Sequence, residues 1–152
     1  MPKRSAGILL YRKINKLFQF FLVHPGGPFF KNKDLGVWSI PKGEYMDDEE
    51  PLAAAKREFY EETGQPVDGN FIPLDPVTLK SGKIIHAWAL EGDINHETIT
   101  SNLFEMEWPP KSGRMQSFPE IDRAGWFDAE EARIKINAAQ AALIDYFLSK
   151  NQ

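Results

Sequence analysis

Glu58, Glu61 and Glu62 lie close together in one predicted helix, and they are the residues of this chain best suited to chemistry. At about 100° per residue, Glu58 and Glu62 share one helix face, and Glu61 lies about 60–100° further round. Carboxylates packed this closely repel each other, so they either line a solvated acidic face or hold a divalent cation. Oxygen ligands suit Mg²⁺ or Mn²⁺, which prefer a few carboxylates together with water and substrate phosphate.

The helix that carries these glutamates is predicted over residues 51–63. The acidic run 47–50 and a proline in the first turn mark its beginning, and Gly64 followed by Pro66 marks its end. An apolar stripe along one face predicts packing against a sheet, and it consists of Leu52, Ala55 and Phe59.

A longer pattern around this helix resembles the Nudix box. That box reads glycine, five residues, glutamate, seven residues, then Arg-Glu-apolar-x-Glu-Glu-x-Gly and a final apolar residue. Eight positions of this chain fall in register, namely Gly43, Glu49, Arg57, Glu58, Phe59, Glu61, Glu62 and Gly64. Gln65 departs from the pattern, because it stands where the family usually has an aliphatic residue.

The resemblance implies roles for the residues of the box. Glu58, Glu61 and Glu62 would be the principal ligands of Mg²⁺ or Mn²⁺, with a backbone carbonyl near Gly43 completing the site. Arg57 and Glu49 would pair to hold the helix and its preceding loop in place. The implied activity is a metal-dependent pyrophosphohydrolase that cleaves a phosphoanhydride bond in a nucleoside diphosphate linked to another moiety.

The general base of such an enzyme is often a glutamate outside the box. Three glutamates of the stretch 103–120 are candidates for it, and for each one taken singly a surface or structural role is the favoured alternative: Glu105, Glu107 and Glu120. The layout from Glu105 to Gly125 also resembles a bacterial Nudix subgroup of predicted NTP pyrophosphohydrolases.

The segment Trp38-Ser-Ile-Pro-Lys-Gly43 leads directly into the box. It resembles the lead-in of the diadenosine-tetraphosphate and diphosphoinositol-phosphate hydrolases of the family. Lys42 either meets a phosphate as a point charge or lies in solvent. Aromatic side chains in or beside loops are candidates for stacking on a nucleobase, with core packing as the alternative, and they include Phe30, Trp38 and Trp108.

Dinucleoside polyphosphates such as diadenosine tetraphosphate, or nucleoside triphosphates, are therefore the favoured substrates. ADP-ribose and nucleotide sugars stay open. A Nudix-fold binding or regulatory domain without hydrolysis is the alternative function. The intact residues Arg57, Glu58, Glu61 and Glu62 argue against that alternative.

Length, net charge and cysteine content exclude several classes of partner and chemistry. The chain has 152 residues, a formal net charge of −4 and no cysteine. The negative charge argues against a nucleic-acid partner, and the lack of cysteine excludes thiol chemistry. The apolar run 8–10 is too short for a signal peptide or a membrane span, so we expect a cytoplasmic protein without a membrane partner. A homodimer is compatible with the family.

The remaining elements are predicted from hydrophobic periodicity and turn residues. Strands are expected at 6–11, 18–23, 37–40, 77–79, 84–90, 103–108 and 125–127, a loop at 109–119, and helices capped by Asp128 and by Asn137, the latter over 138–148. Strands interleaved with helices indicate one α/β or α+β domain with a mixed sheet between helices. The resemblance implies a Nudix-type α/β/α sandwich over residues 1–152.

Overall fold

The computed structural model describes residues 3–151. Its helices are α1 (Pro51–Thr63), α2 (Ala129–Lys135) and α3 (Ala141–Lys150), with 3-10 turns at His96–Thr98 and Ala138–Gln140. Its strands are β1 (Arg4–Ile14), β2 (Leu17–Pro25), β3 (Lys42–Glu44), β4 (Ile72–Pro73), β5 (Val77–Thr78), β6 (Ile84–Glu91), β7 (Leu103–Glu107), β8 (Met115–Pro119) and β9 (Ile121–Asp128). Within residues 3–151, no helix is both long enough and apolar enough to cross a membrane.

Seven of these strands form one mixed sheet. The strand order is β4-β6-β1-β2-β9, with β3 paired to β1 and β5 paired to β6. β1 and β6 run parallel, whereas the other pairs are antiparallel. β7 and β8 form a separate two-stranded hairpin.

Helices cover both faces of the sheet, as the alternation of side chains along a strand requires. Ile8 and Leu10 point to one face, where they belong to the same core cluster as Phe59 of α1. Leu9 points to the other face, where it clusters with Leu143 and other residues of α3. The predicted mixed sheet between helices, an α/β/α sandwich, is confirmed.

β1 pairs with two antiparallel strands at different places along its length. Its C-terminal part pairs with β2, and the segment around Gly7 pairs with β3. A Cβ atom on Gly7 would stand 2.7 Å from the backbone oxygen of Pro41 and from the Cβ of Lys42. Glycine at this position therefore lets the strand that leads into α1 approach the centre of the sheet.

Several element boundaries differ from the prediction. Residues 37–40 do not form a strand, because Trp38 and Ser39 make only isolated bridges to Ile136 and Val23. The predicted loop 109–119 is wrong in its second half, since 115–119 pair with β7 as β8. The last strand extends over Ile121–Asp128 because it pairs with β2 along most of its length. The helix 51–63 and the 77–90 hairpin agree with the prediction.

Candidate active site

The helix α1 is delimited by local interactions of its own sequence. The side chain of Glu50 accepts a hydrogen bond from the Ala53 amide, and Pro51 occupies the first turn. Gly64 ends the helix with φ 75°, and its amide donates to the carbonyl of Tyr60. Gln65, in place of an apolar residue, donates to the hydroxyl of Thr98 at 3.3 Å.

Arg57 links the box residues to one another. Its Nε and one terminal nitrogen donate to the two carboxylate oxygens of Glu49 at 2.8 and 2.9 Å. Its other terminal nitrogen contacts Glu58 at 2.9 Å and Glu61 at 2.5 Å. Pairing with Glu49 raises the pKa of Arg57, and the same pair lowers the pKa of Glu49. The predicted pairing of Arg57 with Glu49 is thus present.

Glu62 is the carboxylate most strongly affected by its surroundings. Only 9% of the residue is exposed. Burial, helped by the negative charges of Glu58 and Glu120, raises the pKa of Glu62 to about 8, although Lys42 opposes the shift. Its Oε1 accepts a 3.4 Å hydrogen bond from the Lys42 amide. A buried carboxylate with this pKa lacks a cationic partner strong enough to keep it ionised.

Gly43 packs directly against Glu58. A Cβ atom on Gly43 would stand 2.1 Å from the carboxylate carbon of Glu58, so any larger residue would displace that side chain. Burial first, and then the charge of Glu61, raises the pKa of Glu58, while Arg57 lowers it. Glycine at the first position of the box therefore makes room for the first glutamate of α1.

The three glutamates outside the box are placed very differently. Glu107 holds the turn of the β7–β8 hairpin, because its carboxylate accepts from the amides of Lys111 and Gly113 at 2.8 and 3.2 Å. Glu105 is exposed on the same hairpin. Glu120, between β8 and β9, faces the box. Burial and the charge of Glu61 raise its pKa.

A cavity of about 440 Å³ joins Glu120 to the box, and this volume is within the range of small-molecule sites. Lys42, Glu62 and Glu120 line its charged end. Phe30 and Phe104 contribute aromatic surface to the lining. The cavity thus combines ionisable groups with apolar walls.

Two aromatic residues that the sequence proposes as substrate contacts lie outside this cavity. Trp38 is only 4% exposed and packs in the core, where its Nε1 donates to Asp34 at 2.8 Å. Trp108 lies at the tip of the β7–β8 hairpin in edge-to-face contact with Phe29, 5.4 Å between ring centroids. Neither lines the cavity. Phe104, which the sequence analysis did not single out as a stacking candidate, lines the cavity instead.

The donor set fits a hard divalent cation chemically. Glu58, Glu61, Glu62 and Glu120 offer carboxylate oxygens, and burial leaves two of the box carboxylates without full compensation of their charge. Across residues 3–151, however, no three His, Asp or Glu side chains stand together in a metal-binding arrangement. The guanidinium of Arg57 occupies oxygens of Glu58 and Glu61, and these must turn toward a bound cation.

Comparison with known proteins establishes the family. The NUDIX domain profile matches residues 1–147, so the chain belongs to this family. An RNA pyrophosphohydrolase of Bartonella henselae is 35% identical over 66 residues, which are 41% of this chain and 35% of that protein. The match therefore spans about a third of the relative's length. The family match agrees with the resemblance that the sequence predicts for the box.

Solved structures agree on the fold. A C. elegans Ap4A hydrolase binary complex superposes with a TM-score of 0.63 at 21% identity, covering 97% of this chain and 96% of that one. The NUDIX domain of Shewanella oneidensis NrtR, complexed with ADP ribose, has a TM-score of 0.69 at 14% identity, covering 100% and 90%. At these identities the likeness concerns the fold.

Proposed function

We propose that this protein is a metal-dependent pyrophosphohydrolase that cleaves a phosphoanhydride bond in a small nucleotide. The favoured substrates are dinucleoside polyphosphates such as diadenosine tetraphosphate, and nucleoside triphosphates. The observation that carries the proposal is the meeting of Glu62, Glu120 and Lys42 in one cavity with aromatic walls. One ligand in this cavity can therefore place its phosphates near charged groups and its nucleobase against apolar surface.

The carboxylates of the box are the proposed metal ligands. Glu58, Glu61 and Glu62 would hold Mg²⁺ or Mn²⁺, with the Gly43 carbonyl as a further ligand. When bound, such a cation offsets phosphate charge and lowers the pKa of a coordinated water. Arg57, fixed by Glu49, orients Glu58 and Glu61 through its remaining nitrogen. Release of that nitrogen would leave both carboxylates free for the cation.

Glu120 is the proposed general base. It is the one glutamate of the three outside the box that lines the cavity. Burial raises its pKa, which makes the carboxylate a better proton acceptor than an exposed glutamate. Lys42 lies at the same end of the cavity, where its charge suits a substrate phosphate.

Phe30 and Phe104 are the proposed aromatic contacts of the nucleoside. They are the phenylalanines among the lining residues, and every nucleobase offers a face for stacking. Such contacts discriminate weakly among bases. ADP-ribose, nucleotide sugars and an RNA carrying a phosphoanhydride therefore belong in the substrate panel beside the favoured nucleotides.

A hydrolysis panel with Mg²⁺ and with Mn²⁺ tests the function. Wild type is compared with Glu61→Gln, Glu62→Gln and Glu120→Gln, and the exposed Glu97→Gln is the matched control. We expect turnover of at least one phosphoanhydride by wild type and the control, and loss of it in the other three. Absence of turnover in a folded wild type would contradict the enzyme. Equal activity in all variants would contradict the site.

The second candidate is a NUDIX domain that binds a nucleotide without cleaving it. The specific observation in its favour is the structural similarity to the NrtR domain, which was solved with ADP ribose. Calorimetric titration with ADP-ribose, run beside the panel, separates the two functions. Binding without turnover supports this candidate, and turnover excludes it.

Two further predictions accompany the proposal. We propose that residues 1–152 act as one Nudix hydrolase domain in the cytoplasm. A homodimer is compatible with the family, and sedimentation equilibrium would test it directly. A single species of 17.3 kDa across the concentration range would contradict the dimer.

A further inference from the structure

His24 is a fully buried histidine at the end of β2, outside the acidic cluster. Both of its ring nitrogens have partners. Nδ1 lies 2.7 Å from an oxygen of the Asp122 carboxylate, and Nε2 lies 2.7 Å from the backbone carbonyl of Lys33. Its ring also packs edge-to-face against Trp38, with 5.1 Å between the ring centroids. The imidazole therefore bridges two segments far apart in the chain.

The partners determine what the ring must donate. A backbone carbonyl only accepts hydrogen bonds, so Nε2 carries a proton and donates it to Lys33. Nδ1 is hydrogen-bonded to the Asp122 carboxylate at 2.7 Å, which fixes the orientation of the ring on its other side. Two short hydrogen bonds at opposite sides of one buried ring make a directional link.

An irregularity in the sheet brings Asp122 to this ring. His24 pairs with Arg123, but the next residue, Pro25, pairs with Ile121, so Asp122 is the extra residue of a bulge in β9. A bulge turns a side chain away from the direction it would have in a regular ladder. The Asp122 carboxylate thereby reaches the buried His24, although 28% of its side chain is exposed.

Lys33 connects the ring to the cavity. Its carbonyl is the oxygen held by His24, and its amide donates to the carbonyl of Phe30 at 3.0 Å. Phe30 lines the cavity and is 37% exposed, so packing alone restrains it weakly. The chain of contacts from Asp122 through His24 and Lys33 ends at this aromatic wall.

We propose that His24 is a positioning residue, which holds the turn 30–33 so that Phe30 presents its ring to the bound nucleotide. The inference rests on the proposed function for its consequence, since Phe30 matters only if a nucleotide occupies the cavity. Within residues 3–151, the side-chain hydrogen bonds of His24 go to Asp122 and Lys33 and not to the box or to Glu120. Loss of His24 therefore weakens substrate binding and leaves the chemical step unchanged.

Two substitutions of His24 distinguish this role from simple filling of space. Glutamine places an amide nitrogen near the position of Nε2 and can still donate to Lys33, whereas asparagine is one methylene shorter and reaches only the position of Nδ1. We expect His24→Asn to raise KM for diadenosine tetraphosphate about three- to tenfold, the effect of one lost hydrogen bond, with kcat within twofold. His24→Gln should stay closer to wild type. His96→Asn is the matched control.

A double-mutant cycle tests whether His24 acts through Phe30. Phe30→Ala alone should raise KM, and adding His24→Asn should raise it little further, because the two residues share one path. Multiplicative effects on KM would overturn the proposal. So would a fall in kcat at unchanged KM.

Hydrogen exchange of the nucleotide-free protein gives a readout that does not depend on activity. The Lys33 amide should exchange at least about tenfold faster in His24→Asn. The Gly36 amide, which donates to Ile134, should change less. Unchanged Lys33 exchange would overturn the proposal, whatever the activity. If exchange is accelerated but the wild-type protein shows no turnover, the positioning role of His24 stands and only the proposed function is contradicted. If His24→Asn does not fold, Asp122→Ala must give the same acceleration.

Discussion

Replacement of Glu62 by glutamine should stabilise the metal-free protein at high pH. Glutamine keeps the size of the side chain and the oxygen that accepts from the Lys42 amide. It removes the negative charge that burial disfavours. The substitution that should abolish the proposed activity is therefore expected to strengthen the fold.

The direction and pH range follow from the pKa of Glu62. Burial raises this pKa from 4.5 to about 8, so between these values the folded state binds more protons than the unfolded state. The free energy of unfolding of wild type therefore falls as pH rises through this range. In Glu62→Gln no charge forms at this position, so its free energy of unfolding does not fall for this reason. At about 1.4 kcal/mol per pKa unit, the upper limit at pH 9 is roughly 5 kcal/mol.

Relaxation and water entry reduce this limit, so we expect Glu62→Gln to be about 2–3 kcal/mol more stable than wild type at pH 9. At pH 5 the carboxyl is protonated in the folded state, and the difference should fall below about 1 kcal/mol. For a chain of this length, the effect at pH 9 corresponds to a Tm rise of about 5 °C or more.

Urea denaturation followed by circular dichroism, with EDTA at pH 5, 7 and 9, measures the difference. Glu97→Gln removes an exposed charge from the same protein and serves as the control. Adding Mg²⁺ at pH 9 should stabilise wild type more than Glu62→Gln, because a ligand that binds the folded state raises its stability. A variant no more stable than wild type at pH 9 would refute the reasoning from burial. A gain of equal size at pH 5 and pH 9 would refute the assignment to the charge of Glu62.

Three other substitutions test the remaining parts of the site. Glu120→Gln should lower kcat by roughly 10²–10⁴-fold with little change in Tm, as measured by steady-state kinetics, and a kcat within threefold of wild type would exclude the base. Arg57→Ala should lower the midpoint of urea denaturation slightly, because Glu49 loses its charged partner in a largely exposed ion pair, and an unchanged midpoint would contradict this. Gly43→Ala should displace the Glu58 side chain, lower the free energy of unfolding by about 1–3 kcal/mol and weaken Mg²⁺ binding. Wild-type Mg²⁺ affinity in calorimetry would contradict the close packing of Gly43 against Glu58.

The helix α1 and the pairing of its Arg57 with Glu49 were predictable because the residues that determine them are close in sequence. A cap at Glu50, Pro51 in the first turn and Gly64 at the end delimit the helix within its own sequence. The spacing of Arg57 to Glu49 is a further local feature, and the bidentate pair confirms it. The mixed sheet was predictable from the order of the elements, in which strands are interleaved with helices.

The identity of the cavity residues was not predictable in the same way. Glu105, Glu107 and Glu120 are alike as sequence, and only the register of β7 with β8 and the end of that hairpin decide which of them faces the box. The same holds for aromatic residues, since Trp38 is buried while Phe104 lines the cavity. Such placements depend on contacts between distant segments, which periodicity does not encode.

Local spacing by itself determined the acidic helix, its caps, its family and the type of cation its oxygens suit. Tertiary structure decided the environment of those oxygens. It buried Glu62 and seated Gly43 against Glu58, and it brought Glu120 to them from more than fifty residues away. The pKa of a carboxylate depends on solvent exclusion and on neighbouring charges, and both arise only when the chain has folded.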